Sequence, residues 1–147
     1  MNSDQQKIKL LLSNLIAGQG FDLKPATKER IDLFTKRAIN NGIDTKVIKQ
    51  LVDLYEVADF FHYEIIIGFH RCDDLTIFEW WNDKELWLGQ RDFNILRWTD
   101  GKFCLGDVGN ISFSDECKFD TLIGLIEGCI RDIDEANNHD KLHSQSK

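Results

Sequence analysis

The sequence predicts an α+β fold in a single domain, with N-terminal helices, a central twisted antiparallel sheet and a closing C-terminal helix. Three observations carry that prediction. Apolar residues recur at helical spacing as far as about Ala58, the period drops to two from Tyr63, and helical spacing returns after Asp120. At 147 residues with 42% hydrophobic content, the chain has the length of one domain and enough apolar side chains to fill one core.

Helices are predicted near 4–17, 27–40, 45–58 and 120–133. Ser3 and Gln6 have the spacing of a capping box, Ile8, Leu11, Leu12, Leu15 and Ile16 share a face, and Gly18 and Gly20 stop the helix. Pro25, the sole proline, precedes the second helix, where its missing N–H does no harm. Ile31, Phe34 and Ala38 form that helix's apolar side, and Asn41-Gly42 ends it. Asp44 caps the third, whose stripe is Val47, Ile48, Leu51, Val52 and Tyr55. Asp120 is the expected cap of the last, with Leu122, Ile126, Cys129 and Ile133 inward. The polar residues 136–147 are expected to form a disordered tail outside a 1–135 domain.

The sheet is expected over 63–114 as a meander of short strands. Tyr63, Ile65, Ile67 and Phe69 alternate as one strand, Arg71-Cys72-Asp73-Asp74 is a turn, and 75–81 is a second strand. Strands at 85–88 and 92–98 follow. Thr99-Asp100-Gly101 is a hairpin turn into 103–105, and 111–113 is a last short strand.

The formal charge of −7 is unevenly spread, with +4 over residues 1–50 and −11 over 51–147. Acidic surface repels phosphate backbones and steers basic partners, so nucleic acid is excluded as the expected partner. No apolar run approaches the roughly 20 residues of a membrane span, and the N-terminus lacks the order of a secretory signal, so the expected location is the cytoplasm with no membrane partner. Cys72, Cys104, Cys117 and Cys129 form no CxxC pair and are expected as thiols, mostly buried.

No motif for catalysis, metal or cofactor binding is present: the glycines lack P-loop spacing, and His62, His70, Cys72, Asp73 and Asp74 have no second ligand cluster to close a zinc site. His139 and His143 fall in the polar tail, and Gln90-Arg91-Asp92 is a polar interruption between strands that fits a pocket lining and a surface turn with an Arg–Asp pair equally well. A small metal-dependent hydrolase or nuclease using His70, Asp73 and Asp74 is the enzymatic alternative, and a regulatory protein–protein adaptor is another. Trp80, Trp81, Trp87 and Trp98 crowd the sheet, where core packing accounts for most of them. Adjacent Trp80 and Trp81 on a strand face opposite ways, so one points outward beside Glu79, Asp83 and Glu85. The expected partner-binding set is Glu79, Trp81, Asp83 and Glu85, with Asp73 and Asp74 as rim charges.

The stretch from Pro25 to Phe34, then Asn41-Gly42-Ile43-Asp44 and the helix ending Leu54-Tyr55-Glu56, resembles the opening of the SUKH superfamily, which includes cell-wall-assembly-regulator-like proteins. The segment from Asp120 to Ile126 is placed like that family's final helix, and the likeness runs from about Pro25 to Ile133. Ile43-Asp44 stands where the family has Leu-Pro, and Ala58-Asp59-Phe60-Phe61 where it has Asn-Gly-Gly. The resemblance implies a non-enzymatic bacterial immunity protein that binds and neutralises a cognate toxin, often a nuclease. The acidic charge makes a basic toxin domain the expected partner.

Overall fold

The computed structural model describes residues 1–20, 22–63, 67–79, 84–91, 94–106 and 117–145, with side chains described as far as 135. Its described part is an α+β domain of four helices and one sheet, as the change of period predicts. Helix α1 (Ser3–Leu15) begins one residue earlier than its expected capping box: Asn2 is the cap, accepting from the Gln5 N–H at 2.8 Å while Gln5 Oε1 accepts from the Asn2 N–H at 3.1 Å. Asparagine and serine are equally good caps, so the sequence offered two neighbouring frames. Helix α2 (Lys28–Asn40) is capped by Thr27, and α3 (Thr45–Val57) by the expected Asp44.

Helix α4 (Leu122–Gln145) starts after Thr121, whose hydroxyl accepts from the Gly124 N–H at 3.0 Å. Asp120, the expected cap, instead takes a hydrogen bond from Lys102. Helix α4 also runs past the expected end at 133. From Ile130 to Gln145 the sequence has no glycine or proline, and Ala, Glu, Lys and Leu are good helix formers, so loss of amphipathic period does not by itself stop a helix.

Six strands pair antiparallel in chain order: β1 (His62–Tyr63), β2 (Ile67–Phe69), β3 (Leu86–Arg91), β4 (Asn94–Thr99), β5 (Lys102–Gly106) and β6 (Lys118–Phe119). The run expected as one strand over 63–69 is therefore two, with Tyr63 opposite Ile67 and His62 opposite Gly68. The second expected strand is corrected as well, because Leu75–Phe78 is a 3-10 helix. Its β-branched and aromatic composition misled, since Asp74 accepts from the Thr76 N–H at 2.9 Å and so starts a helical turn. The expected strand 111–113 and Trp80 and Trp81 lie outside the described residues.

The hairpin between β4 and β5 is the predicted one. Asp100 and Gly101 both have positive φ, 52° and 75°, as a two-residue type I′ turn requires, and Thr99 pairs with Lys102. Alternation then sorts the sheet's two faces. Ile67, Phe69, Leu86, Leu96 and Phe103 join Ile8, Leu12, Phe34, Leu51, Leu54, Leu125 and Ile126 in one core between sheet and helices. His62, Gly68, Trp87, Arg97, Thr99 and Cys104 belong to the opposite face. The register shifts between Trp87 and Gly89, a bulge at which Gly89 passes so close to β2 that a Cβ there would lie 2.0 Å from the Gly68 carbonyl oxygen.

Arg91 is not in a surface turn. It lies in β3, buried, with Nη2 3.0 Å from Asp132 of α4, which ties the sheet to the last helix. Cys72, Cys104 and Cys129 are buried and all four cysteines are free, as expected.

Candidate functional site

Helix α3 ends at Val57, and the chain leaves it through Ala58-Asp59-Phe60-Phe61 into β1. The Asp59 N–H bonds the Lys24 carbonyl at 2.6 Å, and the Ala26 N–H bonds the Tyr55 carbonyl at 2.8 Å, so the segment before α2 is held alongside this exit. Between them lies a groove of about 740 Å³ lined chiefly by Leu23, Lys24, Arg30, Asp59, Phe60 and Arg71. Phe60 and Arg71 also wall a second hollow of about 530 Å³, with Arg37, Asp73, Asp74 and Leu75.

Two neighbouring phenylalanines divide the work at this point. Phe61 is buried in the core, whereas Phe60 is 56% exposed with φ of 52°. A bulky residue in the left-handed region is unfavourable on steric grounds and persists only where its surroundings impose it. Here the Phe60 ring meets His62 edge-on at 4.4 Å. Leu75, at the far side of Arg71, is 55% exposed. Among the described residues the two share this exposure with Met1, Leu10, Leu33 and Ile39.

The charged groups around them are mostly committed. Arg30 Nη2 lies 3.1 Å from Asp59 Oδ2, and Asp59 Oδ1 accepts from the Cys72 N–H at 2.9 Å. Burial, and then the Asp59 charge, push the Cys72 thiol up to about 12, so it stays protonated and unreactive. Arg71 grips Asp73 with Nε and Nη2 at 2.5 and 2.7 Å, and Arg37 donates to the Asp73 carbonyl at 2.7 Å. The Arg71 hydrogen bonds hold the Asp73 carboxyl below the usual carboxylate range. The Thr76 N–H does the same for Asp74.

The expected binding residues therefore part company. Asp73 and Asp74 line one hollow, but their carboxylates already serve an ion pair and a helix cap. Glu79 is exposed at the end of the 3-10 helix, free of any role in that hollow's wall. Glu85 is half-buried on the opposite sheet face, accepting from Arg97 Nη2 at 3.1 Å and from the Thr99 hydroxyl at 2.5 Å. Trp81 and Asp83 lie outside the described residues. His70, named with Asp73 and Asp74 in the enzymatic alternative, packs edge-on to Trp87 at 5.1 Å, and burial lowers its pKa. Among the described residues, no three His, Cys, Asp or Glu side chains are grouped to hold a metal ion.

Sequence reading missed Phe60, Leu75 and the Arg30–Asp59 pair. The available signal was the Phe-Phe doublet just after a helix end, where only one ring fits the core. No helix among the described residues is long and apolar enough to cross a membrane. No family model matches the chain, and neither a curated protein nor a solved structure matches it.

Proposed function

We propose that this chain is an immunity-type binding protein that neutralises a cognate toxin domain by direct contact in the cytoplasm, with no catalytic step and no cofactor. The observation that carries this reading is Phe60, an aromatic ring held in solvent on unfavourable backbone, beside Leu75 and a rim of ordered Arg–Asp pairs. Buried aromatic anchors ringed by polar groups are the usual energetic centre of protein interfaces, and a rigid anchor loses little entropy on binding. The element order and the residues that resemble the SUKH superfamily support the same reading.

Net charge of −7 favours a basic toxin domain as partner, because opposite net charges accelerate encounter. Glu79 joins the proposed contact set with the sequence-expected Trp81 and Asp83, which lie outside the described residues, while Asp73 and Asp74 shape its hollow and Glu85 holds β4. The enzymatic alternative would require Asp73 and Asp74 to give up bonds they already make.

The test is a toxin encoded beside this chain. Co-expression should abolish its lethality and the two should co-purify. Phe60→Ala should raise the off-rate and weaken binding by about 2 kcal/mol or more, with the melting transition almost unmoved because the ring is exposed. A toxin that kills equally well in the presence of this chain overturns the reading for that pair.

A further inference from the structure

Strand β1 stands at one end of the sheet, with β2 as its only neighbour among the described residues. The Phe69 N–H bonds the Phe61 carbonyl at 2.9 Å, which makes His62 and Gly68 a non-hydrogen-bonded pair. In such a pair each residue's own N–H and C=O face away from the partner strand. The His62 amide and carbonyl therefore project from the open edge, and no described residue takes up either one. The Gly68 position has no side chain, and the imidazole of His62 lies over it, 2.9 Å from where a Cβ would be. That contact holds the edge residue in place.

Natural proteins guard such edges with lysine, proline, inward charges or very short strands. Phe60-Phe61-His62-Tyr63 carries none of the first three, and the two residues of β1 offer one outward amide and carbonyl, those of His62. The same residues, from Phe60 to His62, line the groove of about 740 Å³, so the open backbone edge and the apolar groove belong to one surface.

We infer that β1 is a docking edge for an extended, uncharged segment of a protein partner, which adds to the sheet as a seventh strand beside His62 and lays alternate side chains against Phe60 and Leu23. This rests on the reading of the chain as a toxin-binding protein and names its mode. Charge selects the occupant. Arg30 is paired with Asp59 and Arg71 with Asp73, which leaves Asp22 and Lys24, opposite in sign, as the other charges among the described residues lining the groove. A charged segment would find no net counter-charge there, while an uncharged apolar one matches both the walls and the balance. Strand addition supplies affinity through main-chain hydrogen bonds and specificity through alternate side chains.

The probe is a displayed library of random heptapeptides selected against the full chain, followed by synthesis of the enriched peptides with blocked ends. The expected peptides are uncharged and rich in β-branched and aromatic residues. N-methylation should cut affinity tenfold or more at the one peptide amide that pairs with the His62 carbonyl and less than twofold at the amides beside it, and Phe60→Ala should cut it tenfold. The modification sits on the peptide, so the fold of the protein is not at stake. The inference is overturned if no peptide is enriched, if the enriched peptides are charged, or if N-methylation is tolerated at every position. Self-pairing of the chain through β1, seen as a dimer in sedimentation, would also overturn it. Neutralisation of a toxin without peptide binding removes the docking mode and leaves the functional reading intact. Peptide binding without neutralisation does the reverse.

Discussion

His70 shows how one buried side chain couples this fold to pH. It lies just beyond β2, its N–H bonds the Leu88 carbonyl at 2.9 Å, and its ring rests on Trp87. Burial disfavours the imidazolium, and the nearby His62 adds to that, while Asp74 opposes it. The folded pKa is therefore below that of the unfolded chain. In the window between them the unfolded state binds more protons, so stability rises with pH and is lost as pH falls below about 6.5. Denaturant midpoints measured from pH 7.5 to 5.5 should decline, and His70→Gln should flatten that decline. The pKa values of Asp73 and Asp74 are also lowered on folding and give a slope of the same sign at lower pH: their contributions are present above the ordinary carboxylate range and are lost as pH falls from there through their lowered values. The two slopes are thus separable by pH, the histidine term appearing first on acidification.

Short elements near the site depend on single polar contacts, and their worth is measurable. Removing the Asp74 cap of Leu75–Phe78 by Asp74→Ala should cost about 1 kcal/mol in chemical denaturation and unsettle Leu75 at the second hollow. Gly89→Ala should cost more, about 2 to 3 kcal/mol, because the new methyl meets the backbone of β2, which cannot rotate away as a side chain would. These two positions also mark what the sequence could and could not reveal. Helices α2 and α3 were legible because Pro25, Asp44 and Asn41-Gly42 are strong local punctuation, and the β4–β5 hairpin because Asp100-Gly101 dictates its turn. The split of 63–69 into β1 and β2 was not, since alternation continues unbroken through the run and only pairing decides where a strand ends. The 3-10 helix was hidden by strand-like residues whose conformation is set by one capping carboxylate. Phe60 was hidden because an exposed aromatic differs from a buried one only in tertiary context, although the doublet with Phe61 marked the place.

At the scale of the whole molecule, two kinds of attraction act over different distances. The net charge of −7 reaches a partner through solvent, whereas Phe60, Leu75 and the β1 edge act only on contact. Screening shortens the first: the Debye length falls from about 30 Å at 0.01 M salt to about 8 Å at 0.15 M. Contact burial of apolar rings is far less sensitive to salt. For a basic toxin domain, the association rate should therefore drop steeply between these salt concentrations, while the dissociation rate changes little. Glu79→Gln removes an exposed charge that takes no part in the Asp73 and Asp74 bonds, so it should lower the on-rate at low salt and leave the off-rate alone. Phe60→Ala should do the converse, raising the off-rate at either salt. Stopped-flow or surface-based kinetics at the two ionic strengths separates these effects, and an on-rate indifferent to salt would show that the acidic surface plays no part in capture.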